Sequence, residues 1–257
     1  MNGQMYQMCC ITAAAKKALI EKSELSYTPL KYENRIEFQF LPEKKLFGTK
    51  KYKSENVPAW YDCCVNKGLV DIKLLAPIAV KDRNILGFSN TTQSSLVCFY
   101  EEGKVAYFSP QWEFDSVQNK WNILYTEQEW YDAPSGKPHF ENNIESFKAV
   151  LSEIKELAYK IDCDNFARVF QKALDILSGS FDYTDTVYNV PLPKIPEEKL
   201  HIFQAASTAD VFGAMGSWND SPPYMAHEKG MDKEYEFLSS ELLKQIRLST
   251  LYAINEW

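Results

Sequence analysis

Histidine is scarce in this chain, with only three among 257 residues. These are His139, His201 and His227, and no two of them have the H-x-x-x-H spacing that directs two imidazoles from one helical face to a metal. The C-x-x-C spacing of thiolate metal sites is also missing. The sequence therefore predicts no metal site and no cofactor.

The glycine patterns of nucleotide-binding loops are missing as well. Neither G-x-x-x-x-G-K-[ST] nor a strand followed by G-x-G-x-x-G occurs. The segment GAMGS, residues 213–217, has two glycines, but it follows a predicted helix, whose C-terminus presents carbonyl groups rather than N–H groups. We therefore expect Gly213 or Gly216 to end that helix, rather than to form a phosphate-binding loop.

Long hydrophobic runs are absent, which excludes several classes of protein. No stretch of about 18 consecutive apolar residues occurs, so we expect no membrane span. The first residues, MNGQMYQMCC, also lack the basic, apolar and small-residue regions of a secretory signal. Four of the six cysteines form the adjacent pairs Cys9-Cys10 and Cys63-Cys64, unlike the framework of a secreted domain. We expect a cytoplasmic protein of bacterial type with reduced thiols.

Positive charge is in short supply, except in one segment. The formal net charge is −7, and residues 1–76 carry 12 Lys/Arg against 8 Asp/Glu, whereas the remainder carries 16 against 27. This balance argues against nucleic acid or an anionic membrane as the main partner. The basic residues of one short segment form a weak candidate strip for phosphate contacts: Lys44, Lys45, Lys50, Lys51 and Lys53. A lysine-protected hairpin or edge strand is the interpretation that we favour for this strip.

Two hydrophobic periods divide the chain. The strict alternation of RIEFQF, residues 35–40, predicts a half-buried strand, and β-rich runs with turns at 101–104 and 118–120 predict an antiparallel meander. From residue 144 onward, apolar residues recur at helical spacing. We predict an α+β fold in which an antiparallel sheet, roughly residues 30–131, packs with a mostly helical C-terminal half. One domain over 1–257 is expected, and a subdivision into a mixed sheet region (1–138) and a helical region (139–257) is the alternative.

The segment 214–232 is a predicted connection longer than the roughly 12–15 residues beyond which irregular loops become uncommon. Pro222-Pro223 is expected to keep it non-helical. Trp218 either fills the end of the helical core or anchors a partner protein. In the second alternative, the binding residues are Trp218 itself and four residues that follow it in the sequence: Asn219, Asp220, Tyr224 and Glu228.

Catalytic motifs are few. The G-x-S-x-G nucleophile elbow is missing, and Ser217 lacks its strand-turn-helix context. A hydrolase would need a site assembled from dispersed residues, using the carboxylates Glu113 and Glu129 of the meander, which lie beside tryptophans, or the thiols of Cys63 and Cys64.

We therefore expect a non-catalytic module that binds another protein through an acidic, aromatic-bearing surface. An immunity-like or antitoxin-like inhibitor belongs to this class, because an acidic surface suits the capture of a basic nuclease toxin. The hydrolase with a dispersed site is the alternative.

Overall fold

The structure is a computed structural model that describes residues 1–45, 48–50, 52–131, 133, 136–180 and 191–257, with the side chains of 43–50 excepted. The helices of these ranges are α1 (Gly3–Glu21), α2 (Val57–Asn66), α3 (Ile144–Lys160), α4 (Asp164–Leu177), α5 (Glu197–Ala209), α6 (Pro222–Glu228) and α7 (Asp232–Asn255). The strands are β1 (Glu33–Gln39), β2 (Glu43–Lys45), β3 (Gly48–Lys50), β4 (Lys53–Ser54), β5 (Leu69–Leu75), β6 (Ser95–Tyr100), β7 (Val105–Asp115) and β8 (Lys120–Glu129). The predicted α+β class, with a helical C-terminal half, is confirmed.

The main sheet has six strands in the order β4-β1-β8-β7-β6-β5. Strands β5 to β8 form the predicted antiparallel meander, and their turns lie at the predicted positions. The sheet as a whole is mixed, because β1 runs parallel to β8. This pairing arises because the chain leaves β1 and β4 at one edge, crosses over through α2 and starts the meander at the opposite edge, so that β8 returns beside β1.

The sequence ITAAAKKALIEK, residues 11–22, is rich in helix formers and predicts an opening helix, and in the structure this helix, α1, begins earlier, at Gly3. The side chain of Asn2 caps it by accepting a hydrogen bond from the backbone N–H of Met5, at 2.9 Å. Polar residues such as Gln7 and Thr12 are buried along with the apolar ones. A helix that is buried around most of its circumference shows little amphipathic period, which is why its first turns escaped the sequence pattern.

An aromatic stack forms the core between the sheet and α2. The ring of Phe38 on β1 lies between Tyr125 on β8 and Trp60 on α2, with centroids 4.8 and 4.6 Å away. Phe108 on β7 meets the rings of Phe38 and Trp60 edge-on. These four side chains are fully buried, so they hold α2 against the strands.

A second core lies among α3, α4, α5, α6 and α7. Helix α5 contributes Phe203 to the core at the sheet and Ala206 to this one, and α7 likewise contributes Leu251 and Leu242. The two cores therefore share two helices. The division of the chain into one domain or two stays a prediction.

The C-terminal turn of α7 is joined to the edge strand β5. The side-chain amide of Asn255 accepts a hydrogen bond from the N–H of Leu74 at 2.8 Å and donates one to its carbonyl at 2.9 Å. Next to it, Lys73 forms an ion pair with Glu256 at 2.8 Å. Asn255 thus occupies backbone groups of Leu74 that a further strand would otherwise pair with.

Glu33 is a buried carboxylate at the start of β1, with 4% of its surface exposed. It accepts hydrogen bonds from Gln7 Nε2 at 2.8 Å, from the Tyr27 hydroxyl at 3.0 Å and from the N–H of Leu30 at 2.8 Å. The amide oxygen of Gln7 accepts in turn from the Tyr125 hydroxyl, at 2.7 Å. Burial raises the pKa of Glu33 above its ordinary value, and its hydrogen bonds act in the opposite direction.

Glu33→Gln is expected to lower the free energy of unfolding by about 1–3 kcal/mol at acidic pH, because the new amide nitrogen cannot accept the hydrogen bonds that a carboxyl oxygen accepts. Since the folded-state pKa of Glu33 is raised, the wild-type protein loses part of its stability as the pH rises through that pKa, and the variant does not. The difference between the two should therefore narrow with rising pH. Urea titrations across this range measure it. The exposed Glu24→Gln is the control, and a difference that widened with pH would contradict the account.

Candidate functional site

The segment 214–232 contains helix α6, so the prediction that Pro222-Pro223 keeps it non-helical is wrong. The two prolines occupy the first turn of the helix. Backbone N–H groups in the first turn have no partner within a helix, and the fixed φ of proline suits that position. The connection is therefore shorter and more ordered than its composition indicates.

The predicted role of the glycines is also wrong. Helix α5 ends at Ala209, before Gly213 is reached, and Asp210 follows as its C-terminal cap. Gly216 has a φ of +78° and forms a tight turn, in which its N–H donates to the Asp220 carboxylate at 2.8 Å. The segment GAMGS is thus a turn beyond the helix.

Trp218 fills the end of the helical core, and none of its surface is exposed. Its indole N–H donates to the Ser239 hydroxyl at 2.8 Å, and its ring stacks with Tyr235 at a centroid distance of 5.5 Å. The rings of Phe166 and Phe170 meet it edge-on, at 5.2 and 5.3 Å. Trp218 is therefore a core residue with no surface for a partner, and the alternative that it anchors one is wrong.

The other four candidate binding residues lie at or near the surface. Asn219 is half-buried, and its amide donates to the carbonyl of Arg83 at 2.9 Å, so it holds the loop in place. Asp220, Tyr224 and Glu228 are exposed, the last two on α6. These three side chains can contact a partner, although Trp218 beneath them cannot.

A groove of about 330 Å³ runs between α3 and α7. Its lining consists of the following residues: Glu153, Glu156, Lys160, Glu234, Phe237 and Leu238. Phe237 has 63% of its surface exposed, although Leu238 beside it is buried in the core. The groove therefore combines an exposed aromatic ring with three carboxylates and a single ammonium group.

Helix α6 adjoins one end of this groove. Lys229, next to its last residue, forms an ion pair with Asp162 beyond the end of α3, at 2.7 Å. His227 on α6 contacts Asp232 at the start of α7 at 2.9 Å, and this contact raises the pKa of His227 and lowers that of Asp232. The exposed residues of α6 and the groove therefore belong to one face of the helical half, which we call the α3–α7 face.

The two cysteines of the hydrolase alternative lie in different surroundings. The Cys63 thiol is half-buried, 3.1 Å from the Tyr52 hydroxyl, whereas Cys64 is fully buried and accepts from Tyr100 at 3.6 Å. The histidine hydrogen bonds found in the described ranges go to Glu256 and Asp232. No imidazole is therefore placed to activate either thiol in the part of the chain that the structure describes.

The carboxylates of the meander are not brought together. Glu113 pairs with Asn122 near one end of β7 and β8, whereas Glu129 pairs with Ala106 at the other end. Seven residues of strand separate the two positions, or about 23 Å. The carboxyl pairs of glycoside hydrolases are only about 5–9.5 Å apart.

The basic strip lies partly outside the described residues. The backbone of β2 and β3 forms a hairpin, but Lys51 and the side chains of Lys44, Lys45 and Lys50 are not described. Lys53 lies on the edge strand β4 and forms an ion pair with Glu37 at 3.1 Å. This contact fits a lysine-protected edge.

The described residues contain no group of three or more His, Cys, Asp or Glu placed to hold a metal ion. None of the helices described is long and apolar enough to cross a membrane.

No protein-family model, curated protein or solved structure matches this chain. The sequence did not single out Phe237, because the apolar stripe of α7 runs through Tyr235, Leu238 and Leu242. The signal that the sequence offers for an exposed aromatic residue is that Phe237 follows the charged Glu236 and lies outside that stripe.

Proposed function

We propose that this protein is a non-catalytic module that binds a basic protein partner through the α3–α7 face, in the manner of an immunity-like or antitoxin-like inhibitor. The observation that carries the proposal is the exposed ring of Phe237 in a groove lined by carboxylates. Exposed aromatic rings that lie beside polar groups are typical anchors of protein interfaces.

The charge of the groove supports a basic partner. Lys160 is 3.4 Å from Glu234, so its charge is compensated inside the groove. Lys155, on the neighbouring turn of α3, is similarly paired with Glu156 at 3.4 Å. Glu153 remains without an opposite charge within the described ranges, and together with the exposed Glu228 on α6 it favours Lys or Arg on the partner.

The cysteines support the compartment that we propose. All six are free, and five of them are buried. Unpaired thiols in this number suit a reducing interior. We therefore propose that the protein acts in the bacterial cytoplasm.

The test has two steps. Capture from the host lysate with the wild-type chain, followed by mass spectrometry, identifies a stoichiometric partner, which is then purified and titrated calorimetrically. Phe237→Ala is expected to weaken binding about tenfold or more, because a central aromatic anchor is lost. The double variant Glu153→Lys/Glu156→Lys should weaken it further and reduce its dependence on salt.

Phe114→Ala is the matched control, since Phe114 is also an exposed aromatic residue (48%) but lies on β7, in the other half of the molecule. It should leave the affinity unchanged, and the melting temperatures of all variants should match that of the wild type. Captures that repeatedly recover no stoichiometric protein would overturn the proposal. Equal affinities of Phe237→Ala and the wild type would overturn the assignment of the face.

A further inference from the structure

A pocket of about 650 Å³ lies at the end of β8. Helix α2 ends at Asn66, and Lys67 follows as its C-terminal cap. The pocket is lined by the following residues: Leu41, Pro42, Lys67, Tyr100, Lys104, Glu127, Glu129 and Tyr131. Its volume falls in the range of about 300–1,000 Å³ that is typical of small-molecule sites.

The floor of the pocket contains a fixed carboxylate. Glu127 has 4% of its surface exposed, and its Oε2 accepts a hydrogen bond from the N–H of Leu41 at 2.8 Å. The Lys67 ammonium group lies 3.9 Å from the same oxygen and 4.3 Å from the centroid of the Phe40 ring. These contacts hold Glu127 and Lys67 in place before any ligand arrives.

The wall and the rim of the pocket carry one further charge of each sign. Glu129 lies on the same side of β8 as Glu127, since it is two residues further along the strand. It accepts a hydrogen bond from Tyr131, which raises the pKa of that phenol. Lys104 is exposed on the turn before β7, and in the part of the chain that the structure describes its ammonium group has no carboxylate partner. A carboxylate and a free ammonium group thus line the same pocket.

We propose that this pocket binds a small zwitterion of the α-amino-acid class. Lys104 binds the carboxylate of the ligand, Glu129 binds its ammonium group, and the rings of Tyr100 and Tyr131 pack against the rest. Charge-assisted hydrogen bonds of this kind are stronger than neutral ones. This site is independent of the α3–α7 face.

The charges that line the pocket disfavour ligands that carry only one charge. An anion would meet Lys104 but would be repelled by Glu127 and Glu129. A cation would meet the two carboxylates but would be repelled by Lys67 and Lys104. A ligand with both charges compensates Lys104 and Glu129 together and leaves the pair of Lys67 and Glu127 intact.

The test is calorimetric titration of the full chain with the common L-amino acids at millimolar concentration. Each amino acid that binds is compared with the matching amine that lacks the carboxylate and the matching acid that lacks the amine. We expect the wild-type protein to bind the amino acid at least about tenfold more tightly than either analogue. In Lys104→Met the advantage over the amine should disappear, and in Glu129→Gln the advantage over the acid should disappear.

Lys120→Met and Glu113→Gln are the matched controls, because they remove the same charges near the far ends of β8 and β7. They should bind like the wild type. If a pocket variant fails to fold, the comparison of analogues on the wild-type protein decides alone. Absence of binding by any amino acid, equal binding of a single-charge analogue or a neutral sugar, or unchanged binding in both pocket variants would overturn the proposal.

Discussion

Replacing Trp218 by alanine is expected to lower the free energy of unfolding by about 3–5 kcal/mol. The indole is fully buried, and its removal leaves a cavity bounded by Phe166, Phe170 and Tyr235. It also leaves the Ser239 hydroxyl without the indole N–H that bonds to it. Urea-induced unfolding followed by circular dichroism measures the loss.

Two variants show whether this loss comes from the core. Trp218→Phe should be milder than alanine, because it keeps most of the ring volume and loses the hydrogen bond. Tyr224→Ala, in the same segment but with an exposed side chain, should leave the midpoint of unfolding unchanged. An alanine variant as stable as the wild type would show that Trp218 does not support the helical core.

Replacing Arg247 by methionine is expected to raise the free energy of unfolding by about 1–3 kcal/mol, the cost of burying polar groups that lack hydrogen-bond partners. Arg247 lies on α7 with 3% of its surface exposed, and its Nε and Nη1 atoms have no hydrogen-bond partner among the residues that the structure describes. Burial lowers the pKa of the guanidinium group, and the nearby Asp210 acts in the opposite direction. Methionine has a similar length and carries no charge that must be removed from water.

The control is Arg168→Met on the exposed surface of α4, where the same change should have little effect on stability. Both variants are compared with the wild type by chemical denaturation at neutral pH. A loss of stability in Arg247→Met would mean that the guanidinium group contributes more by packing and by its attraction to Asp210 than its burial costs.

Much of the fold was predictable because the hydrophobic periods of its strands and helices can be seen within short stretches of the sequence. The alternation in residues 35–40 gave β1, and the helical stripes after residue 144 gave α3 and α4. The parallel pairing of β1 with β8 was not predictable, because it depends on where the chain crosses the sheet. The first turns of α1 were missed since burial on most sides erases the contrast between apolar and polar positions.

The candidate sites were predictable to a smaller degree. The composition of residues 214–232 indicated that Trp218 is either a core residue or an anchor for a partner. The sequence could not decide between the two, because the burial of Trp218 depends on Tyr235 and Phe170, which lie on other helices. The acidic and aromatic character of the proposed binding surface was expected from the sequence, whereas the position of Phe237 beside α3 depends on how the two helices pack. The pocket at the end of β8 combines residues from four separate segments, so no spacing in the sequence indicates it.

The hydrogen bonds that join the C-terminal turn of α7 to strand β5 have a consequence for synthesis on the ribosome. Strand β5 is complete at Leu75, but the side chain that occupies its edge, Asn255, is translated much later. Until then the nascent chain presents an unpaired edge, and the core at the sheet lacks the side chains of Leu251 and Ile254. During that interval the growing polypeptide can associate with other nascent chains that are translated from the same messenger RNA. Chaperones that shield apolar surface would act at this stage.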